Sequence, residues 1–389
     1  AALTQILARY HVPILDIGQS TIHNALALGL LVELPRDGGA APVFRELLFS
    51  AHGMGLDIRF TPIDDEAYEN WVHDQGQPRH ILTLLGREIE AEHIARVAAV
   101  VAERGLNVDR IARLTGRLSR RHRRQPHALA SVELSVRGAV PDLSALHAAL
   151  LALGQVMEVD VSVQEDDIFR RNRRLVCFDM DSTLIQTEVI DELAAVAGVG
   201  TQVAAITESA MRGELDFQAS FRQRMALLKG LDEGVLAGIA ERLPITEGAD
   251  RLIATLKRLG YKIAILSGGF TYFAEHLQRR FGLDYVYANR LEFRDGKLTG
   301  EVTGEIIDGA RKAALLREIA AREGIRLEQV IAVGDGANDL PMLSIAGLGI
   351  AFHAKPVVTS QARHAIATVG LDGILYLLGM RDRDVAGLV

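Results

Sequence analysis

Four short clusters along the 389-residue chain carry groups that could do chemistry together. Asp179 and Asp181, with Met180 between them and Ser182 and Thr183 after, close the apolar run 175–178. A carboxylate pair at the carboxyl end of a buried strand sits where open α/β sheets gather their active sites. There one carboxylate can attack phosphorus, while the other, if protonated, donates to a leaving alkoxide and later activates water. A solvated turn uses the same residue types, so the pair alone leaves both readings open. Ser267, Gly268 and Gly269 close a second apolar run, 263–266. A hydroxyl and exposed backbone N–H groups there can bind phosphoryl oxygens, or the glycines can simply turn strand into helix. Lys312 opens a helical pattern that runs to Ala321 and, taken alone, reads as a solvated helix lysine. Last, Asp335, Asn338 and Asp339 follow the apolar run 330–333 within Gly334-Asp335-Gly336-Ala337-Asn338-Asp339. Such oxygen donors suit a hard cation such as Mg²⁺.

Strand ends must hold these groups, and the hydrophobic pattern supplies them. From residue 175 onward apolar strands alternate with longer helical patterns, which predicts a parallel α/β sheet. Upstream, residues 80–166 read as strand, helix, two strands, helix, strand. Residues 3–63 repeat that order without its first strand: a helix at 3–10, strands near 14–17 and 25–34, a helix at 43–52 and a strand at 56–60. The apolar stretch 25–34 reads as a buried strand. Between 164 and 174 the texture passes from acidic to basic just before the strand at 175, which marks a boundary. The expected domains are 1–76, 77–167 and 168–389, with a largely helical insert at about 189–243.

In order, Asp-x-Asp-x-Thr, Ser-Gly-Gly, Lys and Gly-Asp-Gly-x-Asn-Asp resemble the four-motif signature of haloacid dehalogenase-type phosphatases, over residues 174 to about 375. The resemblance implies a Rossmann-like parallel sheet with a helical cap. It implies that Asp179 is the nucleophile, forming an aspartyl-phosphate, and Asp181 the general acid and then base. Mg²⁺ would be held by Asp179, the Asp181 backbone carbonyl and Asp335, with Asp339 and Asn338 in support. Ser267, Gly268, Lys312 and Asn338 would contact the substrate. The charges agree with this: a carboxylate attacking a phosphate dianion meets repulsion that a metal and a lysine offset. The same crowding should keep the proton on Asp181.

The insert is similar to the cap of the phosphoserine phosphatases through Glu188, nine residues past Asp179, the run from Met211 to Phe217, and Arg224. That similarity implies O-phospho-L-serine as substrate and the closing step of L-serine biosynthesis. Arg224 would fork onto the substrate carboxylate, Glu188 would meet the ammonium, and Met211 and Phe217 would wall the site. The residues alone read rather as solvated helix charges and cap core, and it is the family pattern that turns them toward the substrate. The two upstream repeats, each an α+β unit of βαββαβ order (ferredoxin-like), resemble tandem ACT domains. Gly86, ending the first strand of the second copy, fits the position where that family binds amino acids. L-serine is therefore a candidate regulatory ligand, and a homodimer interface is the alternative use. The first copy lacks its opening strand and the chain opens on Ala1, which suggests native residues upstream.

The bulk properties exclude other classes. Acidic residues outnumber basic ones, 50 to 43, which argues against dependence on a nucleic-acid or membrane surface. A single cysteine, Cys177, excludes an internal disulfide or a cysteine-built zinc site and reads as a small buried hydrophobe. No secretory signal and no apolar run of membrane-spanning length is present, so the cytoplasm is expected. Arg117, Arg120, Arg121, Arg123 and Arg124 cluster in one connection, a solvated loop or a polyanion contact. His353 reads as a loop histidine or the edge of a site, and residues 291–298 as a hairpin with an Asp-Gly turn, structural or a minor flap. The rival readings are a phosphotransferase or phosphatase of the same superfamily with another substrate, and a serine-sensing regulatory protein.

Overall fold

The computed structural model describes residues 1–34, 39–116, 128–212 and 214–387; the side chain of Met211 and the arginine cluster 117–124 lie outside the described residues. The chain forms two compact units, Ala1–Gln75 and Gly76–Val389.

In the first unit, helix α1 (Ala2–Arg9) precedes a hairpin of β1 (Ile14–Ile22) and β2 (Ala25–Val32), then α2 (Ala40–Gly53) and α3 (Asp65–Gln75). Ile6 and Leu7 of α1 pack with Val43 and Leu47 of α2 in a small core. Two expectations fail here. The strand read at 56–60 is absent, because β1 and β2 pair only with each other and a lone segment has no ladder to join. Its Phe60 packs edge-on against Phe44 instead, with ring centroids 4.7 Å apart. The stretch read as a buried strand is exposed along most of β2, because a two-stranded ribbon has too little sheet to bury both faces.

The second unit opens with an antiparallel sheet of order β4-β5-β3-β6, built from β3 (Arg79–Gly86), β4 (Asn107–Arg113), β5 (Ala130–Arg137) and β6 (Asp160–Glu165). Helices α4 (Ala91–Glu103) and α5 (Leu143–Met157) cover one face. Val97, Val101, Leu146 and Leu150 pack there on Leu82, Leu84, Leu134 and Val161.

The remainder is a seven-stranded sheet, ordered β10-β9-β8-β7-β11-β12-β13. Its strands are β7 (Leu175–Phe178), β8 (Lys262–Phe270), β9 (Tyr285–Arg294), β10 (Lys297–Thr303), β11 (Val330–Gly334), β12 (Leu348–Phe352) and β13 (His364–Ile366). All neighbours run parallel except the β9–β10 hairpin. β7 and β11 are buried along their whole length, as central parallel strands must be. Between β7 and β8 come the cap helices α6 (Val189–Ala197), α7 (Gly200–Met211), α8 (Phe217–Leu227) and α9 (Val235–Glu241), then α10 (Ala249–Arg258). α11 (Thr271–Phe281), α12 (Gly309–Arg322), α13 (Leu340–Ile345), the short α14 (Pro356–Thr359), α15 (Gly373–Leu377) and α16 (Asp382–Val385) follow.

The hairpin is structural rather than a flap. Asp295 and Gly296 turn it with positive φ (51° and 75°), and its edge braces the cap. Gly230 N–H donates to Leu298 O (2.8 Å), Leu298 N–H to Leu231 O (2.9 Å) and Glu233 N–H to Gly296 O (2.9 Å).

The antiparallel module is fused to the seven-stranded sheet through β6 and β13. Asp160 accepts from Ala367 N–H (2.8 Å), Thr368 N–H (3.0 Å) and Thr368 Oγ1 (2.7 Å), and Ser162 Oγ lies 2.8 Å from His364 Nδ1. The basic run before β7 also turns inward. Arg170, fully buried, donates to Glu133 Oε2 at 2.7 Å. Removing one partner of such a pair leaves an uncompensated buried charge. Arg170→Met is therefore expected to destabilise the second unit by about 3–5 kcal/mol, read from denaturant unfolding, while Arg170→Met with Glu133→Leu recovers most of it.

Among the described residues no helix is long and apolar enough to cross a membrane.

Candidate active site

β7 lies between β8 and β11, so the three strand ends named by the motifs converge. Asp179 stays tied to the sheet, its N–H donating to Val333 O at 2.8 Å. Its Oδ1 accepts from Met180 N–H (2.7 Å) and its Oδ2 lies 2.8 Å from Lys312 Nζ. The following turn places Ser182 in the left-handed region (φ 55°) and sends the chain out toward the cap.

Asp181 is buried, and its Oδ1 accepts from Val189 N–H (3.1 Å), the first residue of α6. Burial, then the negative charges of Glu188 and Asp179, push its carboxyl well above the usual range, which favours the protonated form. Gly269 makes room for it, since a Cβ there would overlap the Asp181 carboxylate. Beside it, Ser267 Oγ accepts from Gly269 N–H (2.8 Å), and Asn289 Nδ2 donates to Gly268 O (2.8 Å) while its Oδ1 accepts from Ile307 N–H (2.9 Å). These bonds hold the Ser-Gly-Gly turn rigid.

Lys312, which reads locally as a solvated helix residue, is 0% exposed. It reaches Asp339 Oδ1 at 2.6 Å as well as Asp179. Burial alone would lower its pKa, but the two carboxylates outweigh that and raise it, so it stays charged. Asp335 accepts from Thr183 Oγ1 at 2.8 Å. Burial, then Asp179 and Asp339, push Asp335 up to about 8. Asp339 rises to about 7 through burial and Asp179, with Lys312 opposing.

Asp179, Asp335 and Asp339 place one carboxylate oxygen each within 4.8 Å of one another. One lysine cannot neutralise three clustered carboxylates, and the raised Asp335 and Asp339 express that deficit. A hard divalent cation among these oxygens would remove it, so the donor set fits such an ion. The Asp181 carboxylate is turned away toward α6, which leaves its backbone carbonyl as the group for the expected metal role.

The cap closes the other side of a cavity of about 780 Å³. Glu188 accepts from Ser182 Oγ (2.9 Å), and burial raises its pKa while Arg224 opposes the rise. Arg224 lines the same cavity from α8. Burial lowers its pKa against the pull of Glu188, Asp191 and Asp181, and its Nε is buried without a partner among the described residues. The Phe217 ring lies over Gly268, where an added Cβ would stand 3.0 Å from its Cζ. Gln218 Nε2 donates to Asp308 Oδ2 (2.9 Å), joining the start of α8 to the start of α12. Met211 ends α7, and Asn338 lines the cavity. The fold thus brings together every site residue named from sequence whose side chain is described.

Two lining residues carry no signal that the sequence alone makes visible. Asp191 sits three residues past Glu188 in the first turn of α6, a spacing that puts both on one helix face. Lys355 follows β12, another strand end at the switch-point side of the sheet. His353, outside the cavity lining, is exposed with its ring Nε2 2.9 Å from Val369 O.

A haloacid dehalogenase-like hydrolase family model matches residues 176–344, and ACT domain models match residues 1–61 and 78–164. A phosphoserine phosphatase of Streptomyces coelicolor is 42% identical over 386 residues, covering 99% of this chain and 90% of the relative. One of Mycobacterium tuberculosis is 41% identical over 387 residues, covering 99% and 91%. Among solved structures, a probable phosphoserine phosphatase from Vibrio cholerae in unliganded form aligns with a TM-score of 0.60 at 34% identity, over 79% of this chain and 89% of that one.

Proposed function

Because the chain belongs to the phosphoserine phosphatase family, with a haloacid dehalogenase-like hydrolase domain and two ACT domains, we propose that it hydrolyses O-phospho-L-serine to L-serine and phosphate, the closing step of L-serine biosynthesis. The observation that carries this reading is the placement of Glu188 and Arg224 in the same cavity as Asp179. A zwitterionic amino acid needs one cation and one anion beside the phosphoryl machinery, and the cap supplies both.

Asp179 attacks phosphorus, forming an aspartyl-phosphate as the bond to the serine oxygen breaks. Asp181, whose pKa burial raises, gives its proton to that oxygen. The resulting carboxylate takes a proton from the water that attacks phosphorus in the second step, which breaks the Asp179–phosphorus linkage and restores both groups. Lys312, fixed by Asp179 and Asp339, and the Ser267–Gly268 turn hold phosphoryl oxygens through both steps. Mg²⁺, held by Asp179, Asp335 and the Asp181 carbonyl with Asp339 and Asn338 in support, would neutralise phosphoryl charge when bound. Phe217, whose ring lies over Gly268, excludes water above the serine side chain.

We further propose that the enzyme is a cytoplasmic homodimer and that L-serine binds its ACT domains. The ACT family matches support the last point, and Cys177, buried in β7, requires no oxidising compartment.

The test is phosphate release from O-phospho-L-serine and from phosphoethanolamine, which lacks the carboxylate, with Mg²⁺ and with a chelator. Arg224→Met is expected to lower kcat/KM for phosphoserine about 10–100-fold, the usual worth of hydrogen bonds between charged groups. Its effect on phosphoethanolamine should stay within about 3-fold. A wild type that ignores phosphoserine, or passes the phosphoryl group to an amino-alcohol acceptor rather than water, would overturn the reading.

A further inference from the structure

Helix α8 lays one continuous face along the cavity. Phe217, Ser220, Phe221 and Arg224 all line it, at the spacing that puts residues on one side of a helix. That face is fixed from its start: Asp216 caps the helix by accepting from Ala219 N–H (2.7 Å), and Gln218 is tied to Asp308 at the head of α12. Phe217 covers Gly268 at the phosphoryl end, and Arg224 follows two helical turns further on. Ser220 lies between them.

Ser220 is the odd member of this face. It is 2% exposed, and its Oγ is buried without a hydrogen-bond partner among the described residues. A serine inside a helix often bonds back to the carbonyl one turn earlier. Here that carbonyl, of Asp216, accepts from the Ser220 N–H (3.0 Å) and not from its hydroxyl. An unpaired buried hydroxyl is costly, and native structures seldom keep one without a use. Alanine would avoid that cost and is the better helix former. Arg224, one turn on, repeats the pattern, since its Nε is also buried without a partner. The two groups do not satisfy each other, yet at a spacing of four residues their Cβ atoms stand about 5–6 Å apart. Two unpaired donors, neighbours on one wall of the cavity, suit an anionic group that offers two oxygens.

Resting on the reading of the site as one for phosphoserine, we propose that Ser220 is a specificity-determining residue, whose hydroxyl donates to the substrate's carboxylate beside Arg224. Two anchors on one fixed helix hold the amino-acid end more narrowly than a single long arginine side chain does. A phosphomonoester without the carboxylate leaves the hydroxyl unpaired and gains nothing from it.

The test is steady-state kinetics of the full-length protein with Mg²⁺ on phosphoserine and phosphoethanolamine. Wild type, Ser220→Ala, Arg224→Met and the double variant are compared, together with their melting temperatures. Ser220→Ala is expected to lower kcat/KM for phosphoserine about 10-fold, the worth of a hydrogen bond to a charged group. The loss should fall on KM, with kcat held within about 2-fold, and phosphoethanolamine should change by less than about 2-fold. In the Arg224→Met background, where the carboxylate has lost its charged anchor, the same substitution should cost less than about 3-fold. Substrate-free Ser220→Ala should melt no lower than the wild type, because an unpaired hydroxyl is removed and helix propensity is gained. Equal losses on both substrates, no loss on phosphoserine, an undiminished loss in the Arg224→Met background, or a lowered melting temperature would each overturn the proposal. A wild type inactive on phosphoserine would instead defeat the reading beneath it, so the two failures are distinguishable.

Discussion

Asp179→Asn is expected to abolish phosphate release, with kcat falling by at least about 10⁴-fold, the scale seen when a covalent nucleophile is removed from a hydrolase. Asparagine matches aspartate in shape, and its oxygen can still accept from Met180 N–H as Asp179 Oδ1 does now. What disappears is the attacking lone pair and one negative charge. The second loss makes a control possible. Asp179, Asp335 and Asp339 place carboxylate oxygens within 4.8 Å of one another, and Lys312 pairs with Asp179 and Asp339. Removing one of the three carboxylates relieves repulsion between the others, so the metal-free variant should melt no lower than the wild type. Lost turnover with an undiminished melting temperature would identify a chemical defect. A variant that loses stability as well would show that the ion pair with buried Lys312 outweighs the relieved repulsion. A stable variant that still turns over would count against Asp179 as nucleophile.

Asp181→Asn should cost about 10²–10⁴-fold in kcat on phosphoserine, the range for a general acid–base group. Its signature is dependence on the leaving group. The serine alkoxide departs poorly without a proton, whereas p-nitrophenolate departs unaided. The variant should therefore form the aspartyl-phosphate from p-nitrophenyl phosphate at near wild-type rate, then stall, because the same residue is needed to activate water. A burst of nitrophenol followed by slow turnover, with phosphorylated enzyme visible by intact mass, is the expected result. Equal losses on both substrates without a burst would assign Asp181 to positioning. The geometry favours the catalytic role: the carboxyl is buried, which raises its pKa, and it accepts from the first N–H of the cap helix. The acid is thereby anchored where the cap joins the sheet.

Much of this site is legible in the sequence. Each strand end taken alone fits a plain turn as well, and it is the order of the four motifs along the chain that brings out Asp179, Asp181, Ser267 and Asp335. The cap residues are legible only through family resemblance, because Glu188 and Arg224 on helices look like any solvated charges. Asp191 and Lys355 stay hidden because their local sequence carries no punctuation and only proximity makes them part of a cavity. The arginines at 170 and 173 have the look of a basic linker, yet both are buried, Arg170 against Glu133 of a different sheet.

The amino-acid sequence by itself determined the chemistry on offer: which strands end in carboxylates, which turn is open to phosphoryl oxygens, and the succession of two small α+β modules and one parallel sheet. Those features rest on local periodicity and on glycine and aspartate at strand ends. The tertiary structure alone decided how that chemistry is charged. Lys312 becomes a buried counter-ion only because α12 packs where its Nζ meets Asp179 at 2.8 Å and Asp339 at 2.6 Å. Residues 56–60 fail to become a strand only because no neighbour offers them a ladder. Burial and pairing are properties of what surrounds a residue, and the surroundings come from segments far away in the chain.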